Sequence, residues 1–202
     1  EIDREGVLPH LDELNQSPVV FDIDPGMGEL PTAPGLLLIR GARQYGKSTW
    51  LEQQLHKTIR NHGNGSALYI NGDELRDARE LAEQIRALRS LFPPSQTIRR
   101  LFIDEITAVE DWQRALKRLV DAGELRDTLV VTTGSKAVDL RRGTERLPGR
   151  KGRLGRTSYY FPPVSYQEFH RRAANTLGDA TLAAYIVSGG CPIAAAEIIA
   201  NG

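Results

Sequence analysis

The sequence predicts an α/β fold, a parallel sheet covered by helices on both faces. Three observations carry that reading. Short, continuous apolar runs recur ahead of segments with helical spacing in four β–α repeats, and such uninterrupted strands belong to sheets buried on both sides. The stretch Gly41-Ala42-Arg43-Gln44-Tyr45-Gly46-Lys47-Ser48-Thr49 lies between one run, Leu36-Leu37-Leu38-Ile39, and a helical segment carrying Leu51, Leu55 and Ile59. A later run, Leu101-Phe102-Ile103, leads straight into Asp104-Glu105. Connections in such sheets are right-handed, and ligands sit at the carboxyl ends of the strands.

Residues 1–34 hold several Pro and Gly with short apolar patches such as Val19-Val20-Phe21, and read as an irregular N-terminal arm. The core domain is expected over 35–175. Its first helix runs from Lys47 to about Asn61, where Asn61-His62-Gly63-Asn64-Gly65 stops it. Ala67-Leu68-Tyr69-Ile70 is the second strand, ending in Asn71-Gly72-Asp73. A helix with Ala78, Leu81, Ala82, Ile85, Leu88 and Phe92 on one face follows, and Pro93-Pro94 ends it. After the third strand, Leu101–Ile103, comes an amphipathic helix presenting Trp112, Ala115, Leu116, Leu119 and Val120. The fourth strand, 128–132, ends in Thr133-Gly134-Ser135, and Tyr159-Tyr160-Phe161 is a fifth. Ser165 caps a helix with Glu168 three residues on, the spacing of a capping box. Residues 176–202 read as the start of a small helical region, with helices near 179–187 and 192–200. The chain starts at Glu1 rather than Met and stops just after a helix-like segment, as expected of a trimmed or truncated protein.

The nine-residue stretch is a phosphate site by its chemistry. Gly41 and Gly46 let the loop curl so that successive N–H groups point at phosphate oxygens, and the following helix adds its positive end. Lys47 reaches the β- and γ-phosphates, and the Ser48 hydroxyl joins a Mg²⁺ shell. Asp104, at a strand end, is where such a site needs an acid for the metal, and Glu105 can orient and deprotonate an attacking water. That pair marks hydrolysis rather than transfer to a hydroxyl. Asn71 is expected to hold Glu105 away from water, and Thr133 or Ser135 to contact the γ-phosphate or the water, unless these are turn residues. Val20 or Phe21 either lines an adenine pocket or packs against the sheet edge.

Residues 141–156 set Arg141, Arg142, Arg146, Arg150, Lys151, Arg153 and Arg156 against a single acid, Glu145. One of these arginines can stabilise phosphoryl-transfer charge, in cis or across a subunit interface. Alternatively the cluster binds nucleic acid or a protein partner, or is a solvated loop. His10, His56, His62 and His170 have no metal-ligand spacing, and Trp50 and Trp112 read as core.

Lys+Arg and Asp+Glu both number 26 in 202 residues, so no global field draws the chain to nucleic acid or membrane. The lone Cys191 excludes an internal disulfide and fits a reducing cytoplasm. No apolar stretch approaches the ~20 residues of a membrane span, and no signal peptide is visible.

Several of these residues resemble a prokaryotic family of AAA-class ATPases whose members often carry a further C-terminal domain. The resemblance rests on Gly41-x-Arg43-Gln44-x-Gly46-Lys47-Ser48, Leu101-Phe102-Ile103-Asp104-Glu105-Ile106, Asp111-Trp112 and Thr133-Gly134-Ser135. It continues through Leu147-Pro148-Gly149-Arg150, Pro163-Val164-Ser165-Tyr166-Gln167-Glu168-Phe169 and Gly189-Gly190-Cys191-Pro192, covering about 36–195. It implies a P-loop fold of the ASCE type with a five-stranded parallel sheet of order 5-1-4-3-2. It also implies ATP rather than GTP, in keeping with the lack of an N-K-x-D pattern. The family's metal, base and sensor roles fall on Asp104, Glu105 and Thr133 or Ser135, and its Gly-Arg element on Gly149-Arg150 or Gly155-Arg156. The expected protein is a cytoplasmic, Mg²⁺-dependent ATPase domain acting as a conformational switch, able to form oligomers. Its rivals are a DNA-binding ATPase like the origin-recognition ATPases and a scaffold that binds nucleotide without turnover.

Overall fold

A computed structural model describes residues 8–135 and 154–202. Among them, five strands form one sheet: β1 (Gly35–Arg40), β2 (Ala67–Asn71), β3 (Arg100–Asp104), β4 (Leu129–Gly134) and β5 (Ser158–Tyr160). Their order across the sheet is β2-β3-β4-β1-β5 and every pairing is parallel, the arrangement the resemblance implies, read from the opposite edge. Arg40 pairs with Gly134, Ile103 with Thr132 and Asn71 with Asp104, so the carboxyl ends of these strands lie side by side.

Alternation along each strand divides the core. Leu36, Leu38, Leu101, Ile103 and Val130 face one way, onto α3 (Ala78–Arg89) and α4 (Trp112–Asp121) through Leu81, Ile85, Trp112, Leu116 and Leu119. Leu37, Ile39, Phe102, Leu129 and Val131 face the other way, onto Trp50, Leu51 and Leu55 of α2 (Lys47–His62) and onto Phe161. Both tryptophans are core residues, as expected, 7% and 2% exposed. A separate cluster of Val164, Phe169, Ala173, Ala195 and Ile199 joins α5 (Tyr166–Leu177), α6 (Thr181–Ser188) and α7 (Pro192–Asn201). Residues 176–202 thus share their core with α5 rather than standing alone, and Val19, Phe21 and Ile23 of the arm pack on the same cluster.

The arm is more ordered than an irregular reading allows. Pro9–Gln16 is a helix, α1, with Pro in its first turn, where the missing N–H costs nothing. What fixes it is remote in sequence. Glu52 on α2, 3% exposed, accepts from Leu11 N at 3.0 Å and sits 2.6 Å from His10 Nδ1. A second carboxylate pins the next part of the arm. The Ser165 side chain accepts from Glu168 N as a cap, but Glu168 does not close the capping box. It accepts instead from Asp22 N at 3.0 Å and pairs with Arg171 and Arg172. A third pin is Arg100, 7% exposed at the start of β3, which donates to Thr58 Oγ1 and to the Leu30 and Pro31 carbonyls. Burial lowers its pKa, yet guanidinium stays charged.

Candidate functional site

The loop between β1 and α2 meets the core with no slack. A Cβ on Gly41 would stand 2.7 Å from the Phe161 carbonyl oxygen, so only glycine fits where the loop leaves the strand. Gln44 at the tip takes φ 64°, a region non-glycine residues rarely occupy. Cys191 Sγ donates to the Gln44 carbonyl at 3.4 Å and the Tyr45 hydroxyl to the Gly189 carbonyl at 3.3 Å, so the turn between α6 and α7 braces the loop. Lys47 is 6% exposed and its Nζ donates to the Ala42 carbonyl at 2.7 Å. Burial lowers the Lys47 pKa, Glu105 and Asp104 pull it back up, and Arg43 adds to the lowering. The Ser48 hydroxyl has no hydrogen-bond partner among the described residues and lines the cavity that opens here.

Opposite the loop, β3 and β4 set two acids into one network. Asp104 is 6% exposed; its Oδ1 accepts from the Thr133 hydroxyl and, at 3.0 Å, from Glu105 N. The same amide lies 2.9 Å from Thr133 Oγ1. Glu105 adopts φ 39° and ψ 48°, a left-handed conformation that turns its side chain back toward β4. Its Oε1 accepts from Ser135 N at 2.9 Å, Ser135 Oγ at 2.7 Å and Thr107 Oγ1 at 2.7 Å. Burial would push this carboxyl up; the bonds from Ser135 and Thr107, with the Lys47 charge, outweigh it and hold the carboxyl below its ordinary value. Burial, and next the Asp104 charge, raise the Tyr69 hydroxyl on β2 above its ordinary range. A Cβ on Gly72 would stand 2.7 Å from both the Asp104 and the Glu105 carbonyl oxygens, so β2 ends hard against the acidic turn.

The cavity measures about 720 Å³. Its floor is the loop (Arg43, Gln44, Gly46, Lys47, Ser48, Thr49) and Glu105. One wall is α1 with the arm, through His10, Glu13, Leu14, Val19, Phe21 and Ile23. The other wall is α7, through Pro192, Ile193, Ala196 and Glu197. A polar floor with two cations under apolar walls suits a phosphorylated ligand with a flat aromatic end.

The AAA domain family matches residues 33–170, more than half of the chain. The chain belongs to the AAA domain family. Among curated proteins, uncharacterized protein MJ1544 of Methanocaldococcus jannaschii is 27% identical over 132 residues, 65% of this chain and 27% of that protein. The chain therefore spans about a quarter of the length of the curated relatives it matches. Among solved structures, RuvB of Thermotoga maritima aligns with TM-score 0.52 and 16% identity, over 82% of this chain and 53% of that one. The Aeropyrum pernix ORC1 protein in complex with DNA aligns with TM-score 0.51 and 17% identity, over 84% and 47%. Both show the P-loop AAA fold.

In this AAA domain, Arg43, Gln44, Gly46, Lys47, Ser48 and Thr49 line the cavity with Glu105, whereas Gly41, Ala42, Tyr45 and Asp104 do not. Thr133 and Ser135 lie beside the acids but have different neighbours. Thr133 is fully buried against Asp104, whereas Ser135 holds Glu105. Asn71 does not reach Glu105: its side chain accepts from Asp73 N and donates to Glu74, closing its own turn. Thr107, two residues past Glu105, takes the place expected of it. Phe21 lines the cavity and stacks on Phe169 with centroids 6.4 Å apart, while Val20 is 40% exposed and does not line it. Arg156 lies outside the cavity lining; its guanidinium covers the Tyr159 ring at 4.3 Å and donates to the Ser158 carbonyl. Arg150 and Arg153, with the rest of the arginine-rich segment before Leu154, fall outside the described residues. Among the described residues no cluster of three His, Cys, Asp or Glu side chains forms a metal site, and no helix is long and apolar enough to cross a membrane. The α1 wall carried no local motif; long-range pairs such as His10–Glu52 and Gln44–Cys191, 42 and 147 residues apart, bring α1 and α7 in.

Proposed function

We propose that this AAA domain binds ATP with Mg²⁺ at residues 41–49 and hydrolyses it, the bound nucleotide acting as a conformational switch. The observation that carries this reading is Glu105: a carboxylate at the cavity floor with Lys47 and one residue from Asp104. The loop amides and Lys47 bind the phosphates, Lys47 exchanging its Ala42 carbonyl for them. The residues fit Mg²⁺, which prefers hard oxygen donors and few protein ligands: the Ser48 hydroxyl is without a partner among the described residues, and Asp104 stands at the strand end. When bound, the ion would neutralise phosphate charge and bring the γ-phosphate into line. Glu105 takes a proton from the attacking water as its oxygen bonds to the γ-phosphorus; the bond to the bridging oxygen breaks, leaving ADP and phosphate. All three of these hydrogen bonds fall on Oε1, which leaves Oε2 of Glu105 to take that proton.

Single-turnover hydrolysis with Mg²⁺, alongside equilibrium nucleotide binding, tests this. Glu105→Gln is expected to bind ATP but lose roughly 10²–10⁴ in rate, and Lys47→Ala to lose binding. Wild-type protein that binds ATP and never turns over would refute hydrolysis and leave a nucleotide-stabilised scaffold. A second reading, DNA binding, draws on the seven basic residues against one acid in 141–156. DNA affinity falling steeply with salt would support it.

A further inference from the structure

Arg43 is the loop residue whose side chain hydrogen-bonds to the residue after β4. It leaves the loop, crosses to the end of β4 and places Nε 3.4 Å from Ser135 Oγ. That hydroxyl is itself 2.7 Å from Glu105 Oε1, so the guanidinium stands one hydroxyl away from the base. The 3.4 Å separation lies at the outer limit of a hydrogen bond, and neither terminal nitrogen of Arg43 has a partner among the described residues. Arg86, Arg89 and Arg99 are each paired with a carboxylate. Arg43 has no ion-pair partner among the described residues, is exposed, and lines the cavity with Lys47 and Glu105. Two cations converge on one space, and the ligand that suits them carries several negative charges.

We infer that Arg43 binds the terminal phosphate of the nucleotide and makes this site discriminate a triphosphate from a diphosphate. The inference rests on the proposed ATP site. In that reading Lys47 and the loop amides serve both nucleotides. Glu105 marks the γ end, because a base must lie within reach of the water that attacks the γ-phosphorus. Arg43, held beside Ser135 and Glu105, is therefore at the γ end and not over the α- and β-phosphates. With a triphosphate bound, its planar fork exchanges one weak hydrogen bond for two charge-assisted ones. Turning away from Ser135 removes the cation from the hydroxyl that donates to Glu105, so the same side chain ties the presence of the γ-phosphate to the surroundings of the base.

The test compares equilibrium binding of β,γ-imido-ATP and of ADP, each with Mg²⁺, to the wild-type chain, Arg43→Ala, Arg43→Lys and Lys47→Ala. Removing a charge-assisted hydrogen bond made to the triphosphate alone should weaken β,γ-imido-ATP about ten- to a hundredfold in Arg43→Ala and leave ADP within about twofold. Arg43→Lys keeps the charge without the fork and should fall between. Equal weakening of both nucleotides in Arg43→Ala would mean that Arg43 merely shapes the loop, and no weakening of either that it touches no phosphate; each overturns the inference. The reading beneath it fails separately, if wild type binds neither nucleotide or Lys47→Ala binds both as wild type does.

Discussion

Glu52→Ala should undock α1 and with it one wall of the cavity. Both oxygens of Glu52 are in use, one beside His10 Nδ1 at 2.6 Å and the other accepting from Leu11 N at 3.0 Å. A carboxylate only accepts, so a hydrogen bond between the two needs a proton on His10 Nδ1. Little else holds the helix: α1 has no buried residue and no side-chain N-cap. A hydrogen bond to a charged group contributes about 1.5–3 kcal/mol. His10 is 41% exposed, so water replaces part of the loss once α1 lifts away. The net cost of docking α1 without Glu52 is then about 2 kcal/mol, or roughly a thirtyfold drop in amide protection. Native-state hydrogen exchange measures this directly at residues 11–16, with α4 amides as an internal reference. Because α1 forms a wall of the cavity whose floor is the loop, affinity for ATP should fall while affinity for inorganic triphosphate stays. Unchanged exchange in α1, or equal loss of both ligands, would refute the claim that Glu52 positions this wall.

Two further outcomes follow from close approach and charge. Gly72→Ala places a methyl 2.7 Å from the Asp104 and Glu105 carbonyl oxygens, and should cost about 1–3 kcal/mol by urea unfolding while slowing hydrolysis by displacing Glu105. Glu168 has its carboxyl held below the ordinary 4.5: burial would raise it, but the Asp22 N–H and the Arg171 and Arg172 guanidiniums outweigh that. Its contribution to stability is therefore complete above pH 4.5 and is lost as pH falls through the lower folded value. Urea midpoints between about pH 7 and pH 3 should drop on acidification, less steeply in Glu168→Gln.

The sheet was legible because its signals are local. Four residues of β1 alternate between two cores, and Gly46 and Gly63 bound α2 where expected; α3, expected to run to Phe92 before Pro93, instead ends at Arg89. The floor of the site was legible for the same reason, since Lys47, Asp104 and Glu105 are each set by the residues beside them. What was missed is held by polar groups buried far from their partners in sequence. Glu168 reads as half of a capping box, and no local pattern marks Glu52 or Arg100. Asn71 failed for a related reason. An Asn followed by Gly-Asp-Glu closes its own turn more readily than it reaches a neighbouring strand.

The described residues at both ends of the chain thus complete the site. Two non-glycine residues at its floor sit in left-handed conformations, Gln44 at φ 64° and Glu105 at φ 39°. Such residues persist when their surroundings over-determine them. Gln44 is held through its carbonyl by Cys191 and through its neighbour Tyr45 by Gly189, both outside the β1–α2 unit that contains it. Glu105 is held by Thr133 and Ser135 from β4 and by Thr107 from the turn that follows it. The loop and the base are therefore each stabilised by a different part of the molecule, and Arg43 is the side chain that spans the two. On the proposed reading, a ligand that draws Arg43 away from Ser135 removes a cation from the hydroxyl beside Glu105, while the brace on Gln44 keeps the loop in place. The surroundings of Glu105 can then change without disturbing the loop, as the proposed switch requires.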